Sequence, residues 1–268
     1  MADHDPAAQS SHGGAVTAIA VSVLVFLILP SLVVIPISFG DTTEMVFPPP
    51  RWSLDLYRQY FTEPEWLAAT WLSLRVSAWT TGISLLLGIP AAYGLVRSEF
   101  PGKRLVAMFL LSPIMVPAVV IALGLYIYYV RIGLSHGELR LVLGLTVVTM
   151  PFVIVTATAG LQNVDPNLER AATVMGAGPV VVLLRVTLPL LKPAIIGGGL
   201  FAFLMSFDEV VVAWFVTRAG YQTLPIKMFS SIQWEISPVL AAISSMLTLA
   251  SAAICLLVVA ARRNEQRR

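Results

Sequence analysis

The chain has 268 residues, 57% of them hydrophobic and only 12% charged, with a formal net charge of +2. Soluble domains carry about 25% charged residues, so this composition excludes a water-soluble globular protein, and the small charge gives no footprint for a nucleic acid. The expected class is an all-α integral membrane protein.

Residues 1–14 read as a cytoplasmic tail, and six apolar runs follow within 15–261. Each is long enough for a bilayer core that needs about 20 helical residues. The first, Ala15 to Phe39, has no positive residue before it and exceeds a signal-peptide core, which predicts a retained helix. The segment Asp41 to Glu65, with Trp52, Tyr57 and Tyr60 and Trp66 just beyond, predicts an amphipathic element at the membrane interface. The second run, Trp66 to Val96, holds Arg75, deep enough to need a partner such as Glu65, Asp208 or Glu209. The third, Leu105 to Val130, contains Pro113 and Pro117, and the fourth, Leu141 to Leu161, contains Pro151. Each proline removes a backbone bond and is a candidate kink. In the fifth, Pro193 to Val216, the triplet Gly197 to Gly199 allows close helix contact. The sixth, Ile236 to Ala261, carries the lone Cys255, so no intrachain disulfide forms, and 262–268 is a basic tail.

Placing the N-terminus in the cytoplasm assigns ten Lys and Arg residues to the inner connections and six to the outer ones, which favours both termini inside, with six transmembrane helices. The polar stretch 165–189 then faces the cytoplasm. Asp165 followed by Pro166 predicts a helix start. Leu168, Ala171, Ala172 and Met175 fall on one face by their spacing, and Gly176 predicts the stop. Gly178 and Pro179 then turn the chain into a second short helix that returns to the membrane at Pro189. A small-residue face of this kind suits docking into a groove of a partner, or resting on the bilayer surface.

Glu169 to Gly176, followed by Thr187, Leu188 and Pro189, resembles the EAA loop of inner-membrane permease subunits of binding-protein-dependent ABC importers. MSFDEVVVAWFVT at Met205 to Thr217, TLPIKMFSSI at Thr223 to Ile232 and LGIPAAYGLVR at Leu87 to Arg97 extend the likeness to the second permease of spermidine/putrescine-type importers. The resemblance implies that Leu168, Glu169, Arg170, Ala171, Ala172, Met175 and Gly176 dock into a cleft of a separate ATPase subunit. Where the family carries Glu-Ala-Ala, this chain has Arg170, Ala171 and Ala172, with Glu169 one place earlier. Glu169 is thereby turned about 100° from the family's face.

Asp208 and Glu209 lie inside the fifth run, where ionisable groups are expensive unless they meet water, a partner or a ligand. They are candidates for lining a translocation path, with Phe207 and Trp214 able to offer an aromatic face to an ammonium group. The alternative is a pair bonded to a neighbouring helix or to free backbone N–H groups.

No P-loop, H-E-x-x-H or G-x-S-x-G motif occurs, and the three histidines are scattered without a metal-spaced cluster. The chain therefore needs no cofactor or metal of its own and is no enzyme, and ATP and Mg are left to the ATPase. The resemblance implies a second permease subunit of different sequence, two ATPase subunits, a periplasmic substrate-binding protein and surrounding lipid as partners in a bacterial inner membrane. It further implies import of a small, cationic, polyamine-like solute. A self-sufficient secondary carrier using Asp208 or Glu209 for ion coupling is the competing expectation.

Overall fold

The computed structural model describes residues 6–41, 45–218, 220–234 and 237–265. The outer parts of both expected tails and the side chain of Cys255 lie outside the described residues. Thirteen α-helices, a 3-10 turn and one π-helical stretch account for the secondary structure, with no strand among the described residues.

The chain divides into two compact units. The first comprises 1–67 and 231–268. In it α1 (Pro6–Ile37) and α2 (Asp55–Thr62) both pack against the last helix, which spans Val239–Glu265. Within 41–65, where an amphipathic element is expected, the described residues form α2, which buries Leu56 and Tyr60 on one side. Tyr57 fixes it by hydrogen bonds to the hydroxyls of Ser38, at 2.7 Å, and Ser245, at 3.4 Å. Residues 19–32 of α1 leave their large apolar side chains exposed, as lipid contact requires.

The second unit, 68–230, holds most of α3 (Pro64–Arg97) and then α4 (Lys103–Leu111), α5 (Ala118–Arg131) and α6 (Gly137–Gln162). Short helices α7 (Pro166–Val174), α8 (Pro179–Val182) and α9 (Leu188–Leu190) follow, with the π stretch Leu183–Thr187 between the last two. Then come α10 (Lys192–Asp208), α11 (Val211–Val216) and α12 (Leu224–Trp234), and the final helix Val239–Glu265 is α13. One apolar cluster gathers Leu72, Val76, Ala122, Leu145, Val212 and Ile226, and a second gathers Ile89, Val153, Leu161, Leu191 and Ala202.

Lipid is as apolar as these cores, so close approach and polar pairs do much of the work of joining the helices. A Cβ on Gly160 would stand 2.5 Å from that of Ala194, and one on Gly198 would collide with the Thr156 hydroxyl, so α6 and α10 touch nearly backbone to backbone. Gly199 is likewise tight against Leu85, whereas Gly197 of the same triplet meets nothing. Between α3 and α6 the buried hydroxyls of Ser84 and Thr149 pair at 2.9 Å.

Two of the six expected runs are not single helices. The third is split at its prolines: a 3-10 turn over Ser112–Ile114 and Pro117 at the start of α5 leave the two halves bent by 101°. The fifth ends as a helix at Asp208, turns extended at Glu209 and resumes at Val211. Pro151, by contrast, sits inside an unbroken α6. Among the described residues three helices are long and apolar enough to cross a membrane, or five if each bent pair forms one span, and Val239–Ile254 is apolar but shorter.

Candidate functional site

The 165–189 stretch folds from its own local signals. Asp165 accepts the Asn167 N–H at 2.9 Å through Oδ1, and Pro166 occupies the first turn, where its missing N–H costs nothing. At the other end Gly176 takes φ +90°, and the N–H groups of Gly176 and Ala177 donate to the carbonyls of Thr173 and Ala172. That paired closure is the Schellman arrangement, and it needs a residue free of a Cβ at Gly176.

The helix presents its faces differently from the expected pattern. Ala172 does not share an open face with Leu168, Ala171 and Met175; it is 7% exposed and lies against the chain. Leu168, Ala171 and Met175 are open, with Val174 beside them, and Met175 is 82% exposed at the C-cap. The helix ends at Val174, one residue short of completing the four-residue stripe.

Glu169 is the second buried residue of α7, and its turn away from the family's face directs it into its own subunit. Arg97 Nε donates to its Oε2 at 3.0 Å and the Thr187 hydroxyl donates to its Oε1 at 3.0 Å. Arg97 Nη2 also donates to the carbonyls of Leu161 and Val164, at 3.2 and 2.9 Å. One guanidinium thus ties the end of α3, the end of α6 and α7 together. Arg170 is exposed and donates to the side-chain carbonyl of Asn167 at 3.4 Å. Between α7 and α8 opens a groove of about 570 Å³, lined by Tyr93, Arg97, Glu169, Arg170 and Val182 among others.

Sequence reasoning missed Arg97 and Thr187 as parts of this site. The available signal was a basic residue closing an apolar run at the same membrane end as an acidic residue in the loop.

Arg75 pairs with none of the three acids expected for it. Its Nε and Nη2 donate to the two oxygens of Glu138 at 2.7 and 2.6 Å. Glu138 stands in the first turn of α6, where a carboxylate also favours the helix dipole. Arg75 and Arg97 therefore clamp α3 to the two ends of α6, running parallel. At 1.5 Å per residue they lie about 33 Å apart along α3, close to the thickness of a bilayer core.

The acidic pair of the fifth run is divided by the helix break. Glu209 accepts the Val212 N–H at 2.9 Å and so caps the start of α11, the backbone-bonded alternative. Asp208 is exposed at the end of α10, with no hydrogen bond or ion pair among the described residues. Phe207 stacks on Phe203, and Trp214 meets Phe229 edge to face, 5.6 Å between ring centres. No group of three or more His, Cys, Asp or Glu able to hold a metal occurs among the described residues.

Comparison with known proteins agrees with this architecture. Residues 84–268 match the family model described as "Binding-protein-dependent transport system inner membrane component". The chain is 31% identical over 229 residues to the putrescine transport system permease protein PotI of Escherichia coli (strain K12), covering 83% of this chain and 81% of that one. It is 29% identical over 236 residues to the spermidine/putrescine transport system permease protein PotC of Haemophilus influenzae, covering 88% and 91%. A crystal structure of a bacterial ABC transporter involved in the import of the acidic polysaccharide alginate superposes with a TM-score of 0.73 at 15% identity, over 98% of this chain and 99% of that one. With the family pattern spanning the 165–189 loop, the α10 break and everything after them, the chain belongs to the inner-membrane permease components of binding-protein-dependent ABC importers.

Proposed function

We propose that this chain is one permease of a heterodimeric, ATP-driven importer that carries a small cationic, polyamine-like solute delivered by a periplasmic binding protein. The three long helices, the two bent segments counted once each and the shorter α13 make six crossings, and with both termini cytoplasmic the 165–189 stretch lies on the cytoplasmic side. Two separate ATPase subunits bind and hydrolyse ATP with Mg, and this chain catalyses nothing. Putrescine and spermidine in the names of the relatives support the polyamine assignment.

The observation that carries the reading is the division of labour on α7. Glu169 and Ala172 lock the helix into its own subunit, while Leu168, Ala171 and Met175 stay open for a partner. Closure of the ATPases would then move α7, and Arg97 would pass that motion to α3 and α6 together. Asp208, the uncommitted acid of the pair, is the carboxylate assigned to the path.

Cysteine crosslinking in membranes that hold the whole importer tests this. Ala171→Cys and Met175→Cys should capture an ATPase subunit, whereas Ala172→Cys should not. Capture from none of them, or from Ala172→Cys alone, would remove the reading. Uptake without ATP or other subunits in reconstituted vesicles would instead establish the secondary carrier.

A further inference from the structure

At the opposite end of α3 from the loop, Arg140 in the first turn of α6 is 5% exposed, yet its Nε and Nη2 have no hydrogen-bond acceptor among the described residues. The rings of Tyr129 and Tyr126 lie against its guanidinium, 5.5 and 5.8 Å from ring centre to Cζ. Those ring contacts offer the charge an electrostatic partner but no hydrogen-bond acceptor for Nε and Nη2. The one carboxylate close in sequence, Glu138, has both oxygens engaged by Arg75.

Arg140 lines a cavity of about 390 Å³ together with Tyr126, Tyr129, Ser135, Thr217 and Arg218. Arg218 is a second cation on its wall, held there by a 2.9 Å bond from Nη1 to the Ser135 carbonyl. The Thr217 hydroxyl is turned to the carbonyl of Tyr221. The lining thus holds two guanidinium groups and no carboxylate. A buried cation left unpaired is among the most expensive arrangements a protein can keep. Nε and Nη2 are themselves shut off from that space, so a planar two-oxygen anion relieves the charge once the guanidinium turns toward the cavity and offers the fork that Arg75 closes on Glu138.

We propose that this cavity is a binding site for one carboxylate-type group, gripped side-on by Arg140 and steered in by Arg218. The group comes either from a free carboxylate ion or from an acidic side chain of another importer subunit. This inference stands apart from the functional reading above, since it concerns the other end of the molecule and holds for any transported solute.

The first arm of the test uses the full chain purified in detergent, with acetate as the probe against chloride at equal ionic strength. Saturating acetate should raise the unfolding temperature by about 3 °C, following mass action for a ligand that binds only the native state. Arg140→Met, which removes the charge while keeping much of the stem, should fold and show no acetate response. Arg140→Lys, which keeps the charge but not the fork, should lose most of it.

The second arm places the photocrosslinker p-benzoylphenylalanine at Tyr126 in membranes holding the assembled importer. An adduct mapped by mass spectrometry beside an Asp or Glu of another subunit identifies a side chain as the occupant. An acetate response in the first arm that Arg140→Met abolishes identifies a free ion. Equal acetate responses in the wild type and Arg140→Met, or no response together with no adduct near an acidic residue, would overturn the proposal.

Discussion

Replacing Glu169 by Ala should unfasten the loop helix while leaving the membrane helices in place. The carboxylate accepts from Arg97 and Thr187, each at 3.0 Å, and the two ionic side chains are 16% and 10% exposed for Arg97 and Glu169. A bond to a charged partner contributes about 1.5–3 kcal/mol and a neutral one about 1 kcal/mol. Breaking a fully buried pair costs about 3–5 kcal/mol, because the surviving charge is stranded. Here the stranded Arg97 keeps its bonds to the carbonyls of Leu161 and Val164, which limits that penalty. The loss is therefore about 3 kcal/mol, or roughly a hundredfold in the local opening constant at 1.4 kcal/mol per tenfold. Hydrogen–deuterium exchange on the reconstituted protein reads it directly as faster exchange of the amides from Leu168 to Ala177. Glu169→Gln keeps an acceptor for Thr187 and should show roughly tenfold instead. Because Arg97 and Glu169 are in contact, the double variant Arg97→Met/Glu169→Leu should fall short of the sum of its parts. Unchanged exchange in Glu169→Ala, or acceleration spread evenly over α6 and α10, would refute the view that this pair holds the loop.

Three further changes follow from the same geometry. Gly160→Val would drive a side chain into Ala194 and Leu191, so α6 and α10 must part, at about 1–3 kcal/mol; the check is a lower unfolding temperature in detergent, with Gly197→Ala unaffected. Glu209→Ala removes the cap on the Val212 N–H and should cost about 1 kcal/mol, while Glu209→Gln, which retains an oxygen acceptor, should keep stability and uptake near normal in a membrane vesicle assay. Glu138→Gln should weaken the hold on Arg75 by about 1 kcal/mol, modest because the arginine side chain is 44% exposed, and a double-mutant cycle with Arg75→Gln measures the coupling.

Local signals were legible and distant pairings were not. Asp165-Pro166 and Gly176 mark the ends of α7 because capping is decided within a few residues of chain, and the structure places both ends accordingly. The direction of Glu169 was equally readable, since one residue of offset is about 100° on any helix. What it meets was not, because Arg97 lies 72 positions earlier in the chain. Arg75 shows the same limit: three acids at plausible depth offered themselves, and the actual partner, Glu138, was hidden in a short polar connection just outside an apolar run. Composition likewise could not reveal that the fifth run is broken, because Val210 to Val216 is as apolar as the helix before it. Apolarity reports the solvent around a segment, and helical continuity depends on where its backbone groups find partners.

That distinction bears on where a path would run. Backbone that leaves the helix at membrane depth is tolerated where protein or a water-filled cavity satisfies it, and not against lipid. In the second unit the chain leaves the α-helix at Ser112 to Pro117 and at Glu209 to Val210, inside two of the apolar runs, and each break is followed by a helix whose start needs acceptors. Pro117 supplies its carbonyl to Val120 and Ile121, and Glu209 supplies its carboxylate to Val212. The two helices that follow, α5 and α11, pack on each other through Ala122, Tyr129, Val212 and Val216. The breaks therefore belong to one structural neighbourhood, and the acid within it that completes a helix is already spent on the backbone. Asp208, one residue earlier, is exposed and has no hydrogen bond or ion pair among the described residues. If that neighbourhood borders the route of a cation, Asp208→Asn must impair uptake where Glu209→Gln does not, an asymmetry that two equivalent acidic side chains on a continuous helix would not produce.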